Sequence, residues 1–129
     1  MIEVDAEFRA YGSEFSPESV ERSTGISFSK KKERGSTGIL GRYRGQPVPY
    51  GSAELSGPET GLDLMVPDAP FFAAVEKLVP ACLSAGATSM SLHLNVAFAD
   101  QCNIELSPEF IAALARLGII LTMSCFESD

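Results

Sequence analysis

His93 is the only histidine of this 129-residue chain, and it sits in "TSMSLHLNVAF" (88–98), where polar and apolar residues alternate. On the polar side of such a strand an imidazole can act as a general base or bind a metal. Its own strand offers no acidic residue two positions away in either direction, so it reads as an exposed histidine without a catalytic task. Cys82, Cys102 and Cys125 are the three thiols. Together with His93 they are ligand types that zinc accepts, but zinc sites announce themselves through a C-x₂₋₄-C or H-x₃₋₅-H pair, and neither is present. Cys82 and Cys125 fall on apolar faces, where a free thiol behaves as a small hydrophobe. No metal and no cofactor is expected.

Two Ser-Pro-Glu triplets raise the question of a serine nucleophile: "FSPESVERSTGI" (15–26) and "LSPEFIAALARLGI" (106–119). A reactive serine needs an adjacent base, and His93 is far from both in sequence. The spacing fits helix starts instead. Ser16 and Ser107 are N-caps, Pro17 and Pro108 take the first helical position, Glu18 and Glu109 meet the positive helix end, and Gly25 and Gly118 close each helix. Phe15 can staple to Val20, and Leu106 to Ile111. The glycine-rich "GSTGILGRYRG" (35–45) lacks a terminal Gly-Lys-Ser/Thr and precedes no helix, which rules out a phosphate loop or a dinucleotide fingerprint. Paired acids occur at Glu3/Asp5/Glu7 and at Asp63/Asp68. A row of acids on an exposed strand is a solvated face that discourages edge pairing, and nothing raises these carboxyls toward catalytic use. The chain does not read as an enzyme.

The elements that hold these residues follow from periodicity. Residues 2–10 alternate without a fault, with Ile2, Val4, Ala6, Phe8 and Ala10 on one side and Glu3, Asp5, Glu7 and Arg9 on the other. From Ser27 to about Gly61 the chain is rich in Gly, Pro and charge, and short strands are expected at "ILGRYR" (39–44) and "VPYGSAEL" (48–55), with another at "GLDLMV" (61–66). Asp68 is placed to cap the main helix, "APFFAAVEKLVPACLSAG" (69–86). Its inward face comprises Phe71, Val75, Leu78, Val79, Cys82 and Leu83, with a kink or break expected at Pro80 and an end at Gly86. In the strand around His93, Met90, Leu92, Leu94, Val96 and Phe98 point inward. A shorter strand, "CNIEL" (102–106), should turn Ile104 and Leu106 inward. The last strand, "IILTMSCFE" (119–127), should turn Leu121, Met123 and Cys125 to the core and Thr122 and Ser124 outward. Each Gly-Ile (25–26 and 118–119) should open the next strand.

The architecture expected is α+β: a single domain, 1–129, with one mainly antiparallel or mixed sheet, about three helices packed on one face, and two β-α-β pseudo-repeats. The uncovered face would carry Glu3, Asp5, Glu7 and Arg9, then Ser89, Ser91, His93 and Asn95, then Thr122 and Ser124.

Hydrophobic residues make up 45% of the chain and charged residues 21%, as in ordinary globular domains. The apolar runs are too short to cross a bilayer, and "MIEVDAEFRA" has neither the basic nor the apolar region of a signal peptide. An odd number of cysteines without paired spacing suits a reducing cytoplasm. The net charge is −7, but residues 27–47 hold six basic residues against Glu33 alone, a local +5 that leaves −12 on the rest. An acidic body repels phosphate backbones, so no nucleic acid is expected as a partner, and no membrane. The basic island reads as a solvated hairpin or a contact for an acidic partner.

The C-terminal third, "LHLNVAFADQCNIELSPEFIAALARLGIILTMSCFE", resembles the ending "hxLSPExhxxLAxLGhxLxhxxY/F" of a bacterial family of small proteins, domain-of-unknown-function family 4279. The opening "AEFRAYGSEFSPESVERSTGI" is similar to that family's "fsPeeit..lGI". The middle departs: the family's Thr-rich, Trp-containing basic segment is replaced here by "SFSKKKERGSTGILGRYRG", and the chain has no Trp. Families of this kind are similar to the immunity proteins encoded beside polymorphic toxins. The resemblance therefore implies a small cytoplasmic, non-catalytic protein that neutralises a cognate toxin by direct binding. Candidate contact residues are Glu3, Asp5, Glu7, His93 and Asn95. The alternatives are a small enzyme or ligand-binding domain gathering His93 with Asp100 or Glu105, and a structural homo-oligomer joined through sheet edges.

Overall fold

A computed structural model describes residues 2–57 and 70–128. The "GLDLMV" strand, the Asp68 cap and the Asp63/Asp68 pair lie outside the described residues. The elements in chain order are β1 (Ile2–Gly12), α1 (Pro17–Thr24), β2 (Lys30–Lys32), β3 (Gly51–Ser56), α2 (Pro70–Ser84), β4 (Ser89–Phe98), α3 (Pro108–Leu117) and β5 (Ile120–Glu127). The five strands form one mixed sheet in the order β2-β3-β1-β4-β5. β1 pairs antiparallel with β3 and β4, β2 pairs antiparallel with β3, and β5 runs parallel to β4. The class is α+β. β4-α3-β5 joins adjacent parallel strands, whereas β1-α1-β2 joins parallel strands with β3 inserted between them.

Alternation along β1 and β4 fixes which face is covered. Val4, Ala6, Phe8 and Ala10 are buried together with Met90, Leu92, Leu94 and Val96. The helices close over that one face with Val20 from α1, Phe72, Val75, Leu78 and Cys82 from α2, and Phe110, Ala113 and Leu114 from α3. Phe72 and Phe110, with ring centroids 5.8 Å apart, tie α2 to α3. Both Ser-Pro-Glu motifs are helix starts. Ser16 Oγ accepts from Ser19 N and Ser107 Oγ from Phe110 N, and Gly25 and Gly118 close the helices at φ 74° and 68°.

Several expectations give way. α2 runs through Pro80 to Ser84 without a break. Pro80 is exposed, as is Glu76, whose carbonyl loses its amide partner there, so the proline stands on the solvent side of the helix. Leu83 is exposed, and Phe72 takes its place on the buried face. In α3 the buried stripe is Phe110, Ala113 and Leu114, about 100° around the helix from Ile111, so Ile111 faces solvent where Val20 of α1 faces the core. "ILGRYR" is no strand: Gly41–Tyr43 forms a 3₁₀ turn, with Gly41 and Gly45 at positive φ. Pro49 delays the start of "VPYGSAEL", and the strand runs Gly51–Ser56. "CNIEL" forms no strand because β1 and β5 already occupy both edges of β4. Ile104 and Leu106 still pack against the core. Ile26 does not open a strand, and β2 starts only at Lys30. In β5, Met123 and Cys125 are exposed; they share a face with Leu94 and Val96, but the helix layer does not reach them.

The tightest packing is backbone against backbone, where β1 turns into α1. α2 ends in a Schellman motif, with Ala87 N bonded to Cys82 O and Gly86 N to Leu83 O. Ser16 N then donates to Ala85 O. A Cβ on Gly86 would come within 2.5 Å of Glu14 O, and one on Gly51 would overlap the Phe15 carbonyl oxygen. The basic segment is tied to α1 as well. Lys31 pairs with Glu21, whose other oxygen accepts from Phe28 N at 2.8 Å.

Gly51→Ala should therefore destabilise the fold by about 2–4 kcal/mol, because backbone must move. Gly25→Ala has open space and should cost only the left-handed strain of about 1–2 kcal/mol. Urea unfolding of both variants checks the order, and equal losses would refute the close approach. The Lys31 ammonium, and then the Phe28 N–H, hold the Glu21 carboxyl below its ordinary 4.5. A lowered folded-state value adds stability above the unfolded value and loses it as pH falls through the folded one. The stability gap between wild type and Glu21→Gln should thus narrow in acid below 4.5. The gap should be small throughout, since the pair is solvent-exposed.

Candidate functional site

Because β1 and β4 alternate and the helices cover one face, the opposite face of the sheet is left mostly polar. The five candidate residues lie there on adjacent strands. β1 and β4 set Asp5 opposite Asn95 and Glu7 opposite His93, and β5 continues the two rows with Ser124 and Thr122. Glu3 lies one step along β1, opposite Ala97.

Cross-strand adjacency gives His93 its partners. Nδ1 is 2.6 Å from Thr122 Oγ1, and Nε2 is 3.2 Å from both Asn95 Oδ1 and Ser124 Oγ. With the proton on Nε2 donated to the Asn95 carbonyl, Nδ1 accepts from the Thr122 hydroxyl, and both ring nitrogens are engaged. No carboxylate is among these partners: neither Asp100 nor Glu105 hydrogen-bonds the ring, and Glu7 Oε2 is bonded to Arg9 at 2.8 Å. The network orders three hydroxyl and amide side chains around an imidazole.

Glu3, Asp5, Asn95 and Ala97 line a depression of about 60 Å³, with Phe126 as its apolar wall. Phe126 was not among the candidates. Period-two alternation from Thr122 and Ser124 places it on this face, but as an apolar residue it did not stand out as a contact. The charge on the face is divided along β1. Glu3, Asp5 and Glu7 form the acidic end, while Arg9, followed across the register by Glu54 and Lys30, and then Lys32, form a mostly basic end.

The thiols lie elsewhere. Burial pushes the Cys82 thiol up to about 12, which leaves it protonated and inert. Burial and then the neighbouring Cys125 raise the Cys102 thiol. Among the described residues no three His, Cys, Asp or Glu side chains cluster as a metal site, and no helix is long and apolar enough to cross a membrane. Comparison with protein-family models, curated proteins and solved structures finds no match, so the likeness to family 4279 stands on the quoted motifs alone.

Proposed function

We propose that this chain is a non-catalytic binding protein whose open sheet face docks one protein partner, and that the partner is a bacterial toxin domain neutralised in the cytoplasm. The observation that carries the binding role is the uncovered face itself. Side chains from three strands are held in fixed rows, with acids at one end and Phe126 beside them. A surface built on strands is preorganised, so little conformational entropy is lost on docking. An apolar anchor flanked by polar side chains matches the usual anatomy of a protein interface. The acidic end selects a basic partner and accelerates encounter with it. The toxin assignment comes from the likeness of both ends of the chain to the immunity-like family. The saturated bonding of His93 argues for contact chemistry over turnover.

The test compares the tagged wild-type protein with the triple variant Glu3→Lys, Asp5→Lys, Glu7→Lys as baits in native bacterial lysate. A single stoichiometric partner, toxic when expressed alone and harmless with wild type, is expected. The triple variant should slow its association about 10- to 100-fold at low salt. Equal association rates for the two baits would remove this face as the interface, and a captured protein that is not toxic would remove the toxin assignment.

A further inference from the structure

The two edges of the sheet are built differently. β2 is three residues long, all of them lysine and all exposed, and like charge along an edge repels another strand. β5 closes the other end of the strand order and is eight residues long. It bonds to β4 on one side, and its outer row of N–H and C=O groups faces no strand among the described residues. Between Ile120 and Phe126 there is no charged residue, no Pro and no Gly. Eight large apolar side chains are exposed among the described residues, and three of them lie on this strand: Ile120 (58%), Met123 (39%) and Phe126 (52%). Unpaired backbone calls for an extended chain as its partner, because only a strand can satisfy a whole row of donors and acceptors.

Self-complementarity identifies which strand. A two-fold axis normal to the sheet keeps the helices of both copies on one side and sets opposed residues on the same face. With that axis at Met123, Ile120 meets Phe126 of the other copy, Leu121 meets Cys125, Thr122 meets Ser124, and Met123 meets itself. Every pair is apolar with apolar or hydroxyl with hydroxyl, the combinations that stabilise antiparallel neighbours. Moving the axis to Ser124 would put Leu121 against Glu127, and moving it to Thr122 would put Ile120 against Ser124. One register therefore pairs all seven uncharged residues of β5 with one another, and Glu127 meets only Ile119, just before the strand.

We propose that β5 is a self-pairing edge, through which two copies of this chain join antiparallel about Met123 into one continuous ten-stranded sheet. The contact goes beyond the binding role of the open face and uses a different part of the molecule. An edge-to-edge contact is at the small end of stable interfaces, so a dimer of micromolar affinity is expected.

Sedimentation equilibrium of the full chain under reducing conditions, from low to high micromolar concentration, tests this against Met123→Lys, which opposes two like charges on the axis. The wild type should show a monomer–dimer equilibrium. Met123→Lys should weaken it at least tenfold while keeping the wild-type circular dichroism spectrum. A strictly monomeric wild type overturns the proposal, and so does a folded Met123→Lys that dimerises as well as wild type. If Met123→Lys fails to fold, the pair Met123→Cys, Cys125→Ser decides. A thiol oxidant should convert it to a covalent dimer through the residue on the axis, and failure to cross-link in a folded protein overturns the register.

Discussion

Three stretches of main chain meet where β1 becomes α1, and the sheet and helix layer can close only because no side chain stands between them. Gly51 begins β3 against the Phe15 carbonyl, and Gly86 ends the α2 Schellman turn against Glu14. The Ser16 N–H then bonds into that turn at Ala85. This junction sets the start of α1, which puts Val20 into the core and brings Glu21 within reach of Lys31. It also sets where β3 begins, and so the register that carries Glu54 and β2 past Arg9. Packing this close depends on the missing Cβ atoms and not on any strong attraction.

The basic island takes its meaning from the same junction. Arg34 bonds Glu14 at 2.6 Å, and Lys31 bonds Glu21. Glu33, the island's one acid, accepts from Glu18 N at 2.6 Å and from Ser16 Oγ, which places a carboxylate on the N-terminus of α1. Of the six basic residues that read as a solvated hairpin or a contact for an acidic partner, Lys31 and Arg34 hold the segment onto α1 and the turn before it. Lys30 and Lys32 project to the other face, where they form the counterpart to the acidic end of β1.

Local signals were legible and neighbour-dependent ones were not. The faces of β1 and β4 follow from period-two alternation, and both helix starts follow from Ser-Pro-Glu with a later Gly, because a cap acts within one turn. Burial of Met123 and Cys125 could not be read in the same way, since it depends on whether a helix reaches them and on β5 being an edge. Pro80 does not break α2 for a similar reason: Leu78, Val79 and Cys82 on either side of it are held in the core. The five candidate residues share one face as their alternation requires, but the hydrogen bonds of His93 to Thr122 and Ser124 need strands 29 and 31 residues apart to be neighbours. No spacing along the chain encodes that. Phe126 falls on that face by the same alternation, but an apolar residue on an open strand face carries no local sign that it walls a depression.

Edge and face obey one constraint. A sheet with helices on one side has three boundaries to protect: an open face and two edges. The face carries fixed polar rows, which stay hydrated and need no cover. The β2 edge carries lysines in a strand too short to template another. β5 has neither device. A chain of net charge −7 has acids to spare, yet this strand carries one only at its last residue, Glu127. Two such molecules carry like net charge, and a neutral strand adds nothing to the repulsion between them. Along the uncharged strand a second copy therefore meets no local like charge, whereas two copies brought together at the β2 edge would set lysine against lysine.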